Sequence, residues 1–401
     1  MVRHLALVVS AWIVLLLIPA PLASAQQAST EASPSPATLA GWIVTPSVVY
    51  STSWDDNVLI RGRGDTPVGD QVNTLNPRAT LDFNGRRGHV DATYDGSFVL
   101  YRQFDTLDSY DQHLAVSARR LVSRHVSLFA TNTTAIVPTT AAVEFIGVPF
   151  VRTGSSLEDL RGGIEAALTK RTSMKAAYNF QWVHFDNSPA FATLLRGGHS
   201  HGISVLVTHA LTARTSLTAD YDRQHATIIG GEGMFDVQNA AASIEHRLTP
   251  ALRVFGGGGF AHTGVSSFGP ARIGPVWRAG LTYELAPAAI DVSYHRSYVP
   301  SYGFGGTQQN QDFTTRLRLP VARRVFVQSW LTWRSNEPLA IGELNLHTLW
   351  YGGTVGYALR PWMRLEGFYD SSHQEIARAG GHIDRNRLGF QVVAANPLRI
   401  R

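Results

Sequence analysis

The sequence predicts an all-β protein: a transmembrane antiparallel β-barrel of about 18 strands (about 16 is the alternative count), preceded by a cleaved signal peptide. Three observations predict this fold. Apolar and polar residues alternate over runs of about 10 to 14 residues. Short turns and long loops follow one another in regular order. Only 16% of the residues are charged, whereas soluble domains carry about 25%.

The start of the chain predicts export. An apolar run at residues 5–18 follows basic residues, and the small residues Ala23-Ser24-Ala25 come soon after it. This order is typical of a secretory signal peptide, and the run is shorter than the roughly 20 residues of a membrane-spanning helix. We therefore expect a signal peptide at residues 1–25, a flexible periplasmic leader at 26–40 and a β-barrel at 41–401.

The alternation has the period of a β-strand. Val90, Ala92, Tyr94 and Phe98 alternate with polar residues, and the same pattern recurs in later segments such as 277–285. Ordinary globular strands have about five or six residues, whereas a strand of an outer-membrane barrel needs about ten, with one face apolar and the other polar. The length and the alternation together favour strands that cross a membrane.

The connections indicate the number of strands. Short turns with related sequences stand at Asn84, Leu121, Leu168, Leu211, Leu248, Leu285, Leu319 and Leu359, about 34 to 47 residues apart. Each lies between two long strands, and adding one strand at each end of the chain gives about 18. Propeller blades, which hold four short strands per repeat, and a two-sheet sandwich fit this arrangement less well.

The polar face of the strands should line the lumen, because a charged side chain on the lipid face would cost about 2–4 kcal/mol at mid-bilayer. A barrel of 16 to 18 strands is too wide for its own side chains to fill. The charges are close to balanced in sign, so we expect weak ion selectivity, and they could equally form cross-strand ion pairs that stiffen the wall. The predicted pore-lining residues are Arg78, Asp82, Asp91, Asp95, Arg119, Arg161, Glu165, Lys175, Asp220, Asp222, Glu245, Arg247, Arg253, Arg278, Glu284, Asp291, Arg316, Arg318, Arg364, Glu366 and Arg387.

One loop is predicted to narrow the pore. Residues 137–155 are unusually apolar for a surface loop, and we expect Val143, Glu144, Phe145 and Phe150 to fold into the lumen. The glycine run at 256–259 would mark a close approach to the wall. The alternative is an extended hairpin outside the barrel.

Three motifs have a chemical interpretation and a simpler one. Gly198–Gly202 spells G-x-S-x-G, but a nucleophile elbow needs a strand before it and a helix after it. His199 and His201 lack a third metal ligand. Asp55, Asp56, Asn57 and Asp65 carry oxygens that could hold calcium, although turn chemistry explains them better. We therefore expect no catalytic residue, no metal and no cofactor, and the absence of cysteine excludes thiolate chemistry.

The first third of the predicted barrel resembles a β-barrel porin family found in exopolysaccharide loci. The resemblance rests on WIVTPSVVYSTSWDDNV from Trp42, with the motif Asp55-Asp56-Asn57 after the first strand, and on pieces around Pro77, Tyr94 and Tyr110. It implies an outer-membrane barrel with a pore. The C-terminal sequence NPLRIR departs from the terminal aromatic residue that outer-membrane barrels usually present to the assembly machinery.

These observations predict a channel in the outer membrane of a diderm bacterium. It would let small hydrophilic solutes diffuse passively, in association with exopolysaccharide export or without it. The expected partners are outer-membrane lipid, the barrel-assembly machinery, small hydrophilic solutes and a second copy of the chain. Scattered charges exclude a nucleic-acid footprint. The alternatives are a plugged structural or docking barrel and an outer-membrane lipid hydrolase, which would need a Ser–His pair on adjacent strands.

Overall fold

The structure describes nine stretches of the chain. The computed structural model describes residues 41–62, 65–138, 153–186, 197–229, 233–265, 270–302, 306–339, 345–377 and 381–400. The predicted signal peptide and leader lie outside these residues. Within the same ranges, no helix has the length and apolar character needed to cross a membrane.

Eighteen long strands of 12 to 17 residues follow one another in the described chain, and each pairs antiparallel with the next. A short nineteenth strand continues the line of the eighteenth, and one 3₁₀ turn lies at Asp105–Leu107. The strands are β1 Gly41–Asp55, β2 Asp70–Asn84, β3 Gly88–Tyr101, β4 Ser109–Leu121, β5 Val126–Val137, β6 Ser155–Ala167, β7 Thr172–Phe185, β8 Gly198–Ala210, β9 Thr215–Ile228, β10 Met234–Arg247, β11 Leu252–Thr263, β12 Arg272–Leu285, β13 Ala288–Ser301, β14 Gly306–Ala322, β15 Val325–Pro338, β16 Asn345–Arg360, β17 Met363–Ala377, β18 Gly381–Ala395 and β19 Leu398–Ile400.

The sheet closes on itself, because β1 pairs with β2 on one side and with β18 and β19 on the other. Along the closing seam Ser47 lies opposite Ala395, and Asp55 lies opposite Arg387. A closed sheet has no edge strand with unpaired N–H and C=O groups, which hydrocarbon could not hydrogen-bond. The predicted antiparallel barrel and its count of 18 strands are confirmed.

The two faces of the wall differ as the alternation predicts. Phe260, Trp277 and Leu388 share one face and are each more than half exposed. On the opposite face, Arg278 of β12 forms an ion pair with Asp220 of β9, three strands away. Such a contact can form only across the concave side of a closed sheet, so the charged face is the inner one. The outer face is an apolar belt suited to lipid.

Hydroxyl side chains shape the short turns. The Thr169 hydroxyl accepts hydrogen bonds from the backbone N–H groups of Arg171 (3.1 Å) and Thr172 (3.0 Å). Thr249 accepts from the second and third residues after it in the same way, at 3.2 and 3.0 Å. A side-chain oxygen that binds nearby backbone donors favours a turn over a continued strand. This chemistry explains why three of the predicted turns, at Leu168, Leu211 and Leu248, share a Leu-Thr sequence.

Aromatic residues near the strand ends divide between the two faces. Trp42 lies on the outer face at the short-turn end, with its ring 4.6 Å from that of Phe83. Trp350 and Tyr101, however, lie on the inner face, and Trp350 packs edge-on against Trp330 at 4.9 Å. Aromatic identity alone therefore does not determine the parity of a residue in its strand.

The assignment of the two faces can be tested with neighbouring residues of β9. Ala219 points outward in the middle of the apolar belt, and Thr218 points inward at the same depth. We expect Ala219→Arg to lower the free energy of unfolding by about 2–4 kcal/mol, because the guanidinium would meet lipid. Thr218→Arg should change it by less than about 1 kcal/mol. Denaturant unfolding of the barrel in phospholipid vesicles measures both values, and equal losses would contradict the assignment.

Candidate channel lumen

The residues predicted to line the pore share the inner face of the wall. The register pairs them with one another or with residues of the same face: Arg78 lies opposite Asp95, Glu165 opposite Lys175, and Asp291 opposite Arg316. The remaining members occupy the same parity in their strands: Asp82, Asp91, Arg119, Arg161, Asp220, Asp222, Glu245, Arg247, Arg253, Arg278, Glu284, Arg318, Arg364, Glu366 and Arg387. Their role in lining a pore stays a prediction.

The inner face toward the short-turn end carries half-exposed ion pairs. Arg119 lies 2.8 Å from Glu165, and Arg253 lies 3.3 Å from Glu284. The side chains in these pairs are 35% to 52% exposed. Exposed pairs of this kind contribute about 0–1 kcal/mol each. This half of the inner face is therefore both cross-linked by ion pairs and open to water.

Halfway up the wall, polar contacts join adjacent strands and strands two apart. Arg161 of β6 donates a 3.1 Å hydrogen bond to Ser204 of β8, and Asn239 of β10 donates one to Asp222 of β9, also at 3.1 Å. Arg334, which is not among the predicted pore-lining residues, lies on β15 and pairs with Asp312 of β14. The alternation of β14 and β15 carried the signal that would have found this pair.

The inner face toward the long-loop end is buried. Inward-facing residues there are almost fully buried on strands all around the barrel: Ala135, Val183, Ala226, Val237, Asn336 and Leu346 are each at most 3% exposed. On a wide, water-filled barrel such residues would be wet. The lumen therefore narrows between its short-turn end and its long-loop end.

The end of the β13–β14 hairpin accounts for part of this narrowing. Pairing between β12 and β13 stops at Trp277 and Arg296, although β12 continues to Arg272 and β13 to Ser301. From there the end of β13 leaves the wall and folds over the inner face, while β14 stays paired with β13 and, as far as Gln308, with β15. We call the described part of this hairpin end, residues 298–302 and 308–310, the strap.

The strap lies on an apolar part of the wall. Tyr298 is 6% exposed and packs in one cluster with Ile228, Phe235, Val237 and Val276, which come from β9, β10 and β12. Each apolar side chain buried there contributes about 1.5–3 kcal/mol relative to exposure. The inner wall beneath the strap is apolar because the strap, rather than water, covers it.

Two glycines make room for the strap. A Cβ at Gly274 of β12 would overlap the Tyr298 side chain. At Gly198 of β8 a Cβ would lie 2.6 Å from the Tyr302 ring, and Tyr302 is only 1% exposed. Burial raises the pKa of the Tyr302 hydroxyl, which has Ser200 as a polar neighbour. Both glycines are places where a ring approaches the backbone closely.

Polar contacts hold the base and the far side of the strap. Gln309 accepts hydrogen bonds from Tyr298 (3.1 Å) and Arg296 (2.6 Å) and donates one to Glu337 of β15 (3.1 Å). On the far side, Val299 and Pro300 close a cavity of about 80 Å³. Its polar wall comes from β6 to β9: Asp159, Asn179, Gln181, Ser200 and Gln224. The strap thus extends from β12 to β6 across the long-loop half of the lumen.

The loop predicted to narrow the pore is not the one that the structure places in the lumen. The predicted constriction residues Val143, Glu144, Phe145 and Phe150 lie outside the described residues, so their placement stays a prediction. The glycine run at 256–259, which was expected to mark a close approach to the wall, has residues of the neighbouring strands β10 and β12 as its contacts. The ring of Trp277 covers Gly258 on the outer face, and the backbone of β10 lies close to the next glycine.

The Asp55-Asp56-Asn57 motif forms a clasp across the closing seam. The fully buried Asp55 carboxylate accepts two bonds from Arg385 Nε of β18, at 2.9 and 3.1 Å. Asp56 accepts from the backbone and the side chain of Asn386, at 2.7 and 2.8 Å. Asn57 donates to the Asp384 carbonyl at 2.8 Å. All three residues therefore bind the first loop to the last long strand.

These contacts bear on the interpretation of Asp55, Asp56 and Asn57 as calcium ligands. The carboxylate oxygens of Asp55 and Asp56 are occupied by protein donors. Among the described residues, no group of three or more His, Asp or Glu side chains is arranged to hold a metal ion. The sequence indicated only that the motif makes turn contacts, because its partners lie about 330 residues away.

The G-x-S-x-G sequence lies inside strand β8, with neither the sharp turn nor the helix of a nucleophile elbow. Ser200 points inward under the strap, while His199 and His201 point outward. His201 lies next to His225 on the outer face, with ring centroids 5.3 Å apart. The serine and the two histidines thus lie on opposite faces of the wall and cannot act together.

A closed antiparallel barrel with an apolar outer belt and a charged inner face defines an outer-membrane β-barrel protein, and its place is the outer membrane of a diderm bacterium. No family model and no curated protein matches the sequence. Among solved structures, the chain is similar to OpdQ of Pseudomonas aeruginosa (TM-score 0.47, 9% identity, covering 90% of this chain and 98% of that one). It is also similar to OccAB3 of Acinetobacter baumannii (TM-score 0.47, 9% identity, 89% and 99%) and to the outer membrane protein opdK of Pseudomonas aeruginosa (TM-score 0.45, 10% identity, 88% and 99%). The resemblance to a family from exopolysaccharide loci stays a prediction.

The clasp predicts a large effect of one charge at the seam. Asp55→Asn leaves the Arg385 guanidinium buried without its counter-ion, and removing one partner of a buried pair costs about 3–5 kcal/mol. Asp95→Asn is the matched control, because Asp95 and its partner Arg78 are 32% and 40% exposed, and exposed pairs contribute about 0–1 kcal/mol. Denaturant unfolding in vesicles compares the two variants. A loss at Asp55 no larger than the loss at Asp95 would contradict a stabilising clasp.

Proposed function

We propose that this barrel is a channel through which small hydrophilic solutes diffuse passively across the outer membrane. The observation that carries the proposal is the inner face of the short-turn half, where charged side chains from strands around the wall are paired yet remain 35% to 52% exposed. A wall of this kind is compatible with water. Passage would depend on solute width and on the charge of the lumen, with no chemistry and no cofactor.

The charge of the wall supports weak ion selectivity. Arg119 is neutralised by Glu165, Arg253 by Glu284, and Arg78 by Asp95. A lumen in which most positive charges have a negative partner presents little net field to a passing ion. Neutral solutes and ions of either sign would therefore pass with similar ease.

Two alternatives have less support. A lipid hydrolase would need a serine and a histidine on the same face, and the only G-x-S-x-G in the sequence has them on opposite faces. A docking barrel that stays closed would agree with the buried long-loop half. It would leave the half-exposed ion pairs of the other half without a function. A role of the channel in exopolysaccharide export is a further proposal that is based on the sequence resemblance alone.

Planar-bilayer recording of the refolded mature chain tests the proposal. We expect stepwise openings with weak ion selectivity, because the lumen is lined by balanced charges. A heat-modifiable band on a gel shows that the barrel has folded. Silence from folded barrels would contradict the channel proposal and would favour the docking barrel.

The proposed conduction path makes a second prediction about ion selectivity. Replacing Arg247, Arg253 and Arg318 by Glu removes positive charge from the inner face and adds negative charge, so the channel should become cation-selective. Arg223→Glu is the control, since Arg223 lies on the outer face. Reversal potentials under a salt gradient measure the change. An equal shift in the control, or no shift in the triple variant, would contradict a path along this wall.

A further inference from the structure

We propose that the strap is the size-limiting barrier of the channel, and that Tyr298 and Tyr302 are the positioning residues that hold it across the lumen. This inference rests on the proposed function and adds to it the element that decides which solutes pass.

The strap contacts parts of the wall that are far apart around the barrel. Tyr298 lies on Gly274 of β12, next to the point where the hairpin leaves the wall. Tyr302 lies on Gly198 of β8, and Pro300 closes a cavity against Asp159 of β6. A segment that begins at β13 and has neighbours on every strand from β12 to β6 lies over the inner face of seven of the eighteen strands. A solute on the lumen axis would have to pass beside it.

The tyrosines provide most of the contact area that fixes the strap. Aromatic side chains bury about 150–250 Å² each, and Tyr298 and Tyr302 are 6% and 1% exposed. Their partners beneath the strap are apolar or small: Ala226, Val237 and Gly198. Without the two rings, the strap would expose this apolar wall to water and would be held by the backbone pairing of β13 with β14 and of β14 with β15, and by the bonds of Gln309 with Arg296 and Glu337.

The strap also explains why the inner face changes character along its length. On β9 the inward residues are Ser216, Asp220 and Asp222 toward the short-turn end, but Ala226 and Ile228 under the strap. The wall of an aqueous channel would not favour apolar residues in the region under the strap. The change from polar to apolar marks where the lumen stops being wet.

The experiment uses the absence of cysteine from the chain. Ala226→Cys reports from the inner wall beneath the strap, and Ser216→Cys is the matched control on the inner face of the same strand at the short-turn end. A charged thiol reagent is applied to the folded barrel in vesicles. The strap is released by Tyr298→Ala with Tyr302→Ala, and independently by Gly274→Ala, whose added methyl group would displace the Tyr298 ring.

We expect Ala226→Cys to react slowly in the otherwise unchanged barrel, and about tenfold faster when the strap is released, as for a locally opened segment. Ser216→Cys should react at the same rate in both. The released barrel should also show a larger single-channel conductance and admit larger sugars in vesicle-swelling assays. Tyr294→Ala, which removes an outward-facing aromatic residue of the same strand, should change neither property.

Each outcome decides the proposal. Faster labelling of Ala226→Cys without a change in conductance or size limit would show that the strap moves but is not the barrier. Unchanged labelling in both release variants would show that the tyrosines do not hold it. If the parent barrel conducts and release leaves it unchanged, only the strap proposal fails. If the folded parent and the released barrels are all silent, the channel proposal fails with it.

Discussion

The whole structure depends on the need to satisfy backbone hydrogen bonds in hydrocarbon, where each unpaired group costs several kcal/mol. An open sheet of eighteen strands would leave two unpaired edges, and the pairing of β1 with β18 removes both. That seam joins parts of the chain about 330 residues apart, so its closure carries the largest loop entropy in the fold. The Asp55-Asp56-Asn57 clasp lies at this seam, where side-chain hydrogen bonds supplement the ladder.

Closure also determines where charge can lie. Once the outer face must be apolar, polar residues of the alternating strands can point only inward, and a barrel of this width leaves them in water or paired with each other. Toward the short-turn end the polar side chains are both in contact with water and paired with each other, as the half-exposed pairs of Arg119 and Arg253 illustrate. Toward the long-loop end the inner face carries buried residues such as Val237 and Asn336 instead.

Local sequence pattern was enough to predict the strands, their number and their two faces, because strand parity is a local property. The positions of the turns were equally predictable, since Thr169 and Thr249 bind backbone groups two and three positions away. Contacts between segments distant in the sequence could not be predicted in this way. The sequence around Asp55 does not indicate that Arg385 is its partner, and the sequence around Tyr298 does not indicate that its ring lies against Gly274. Pro300, which interrupts the pattern of β13, was the one local sign that this hairpin leaves the wall.

The strap and the wall beneath it explain each other. Inward-facing Ala226, Val237 and Val276 would be unfavourable in a wet lumen, and Tyr298 would be unfavourable at an exposed hairpin end, but their mutual burial removes both costs. The contact is apolar, so salt does not screen it, in contrast to the exposed ion pairs of the other half. A barrier held in this way keeps its position while ions move through the wet half of the lumen. The clasp fixes the circumference of the barrel, and the strap decides how much of its cross-section remains available to a solute.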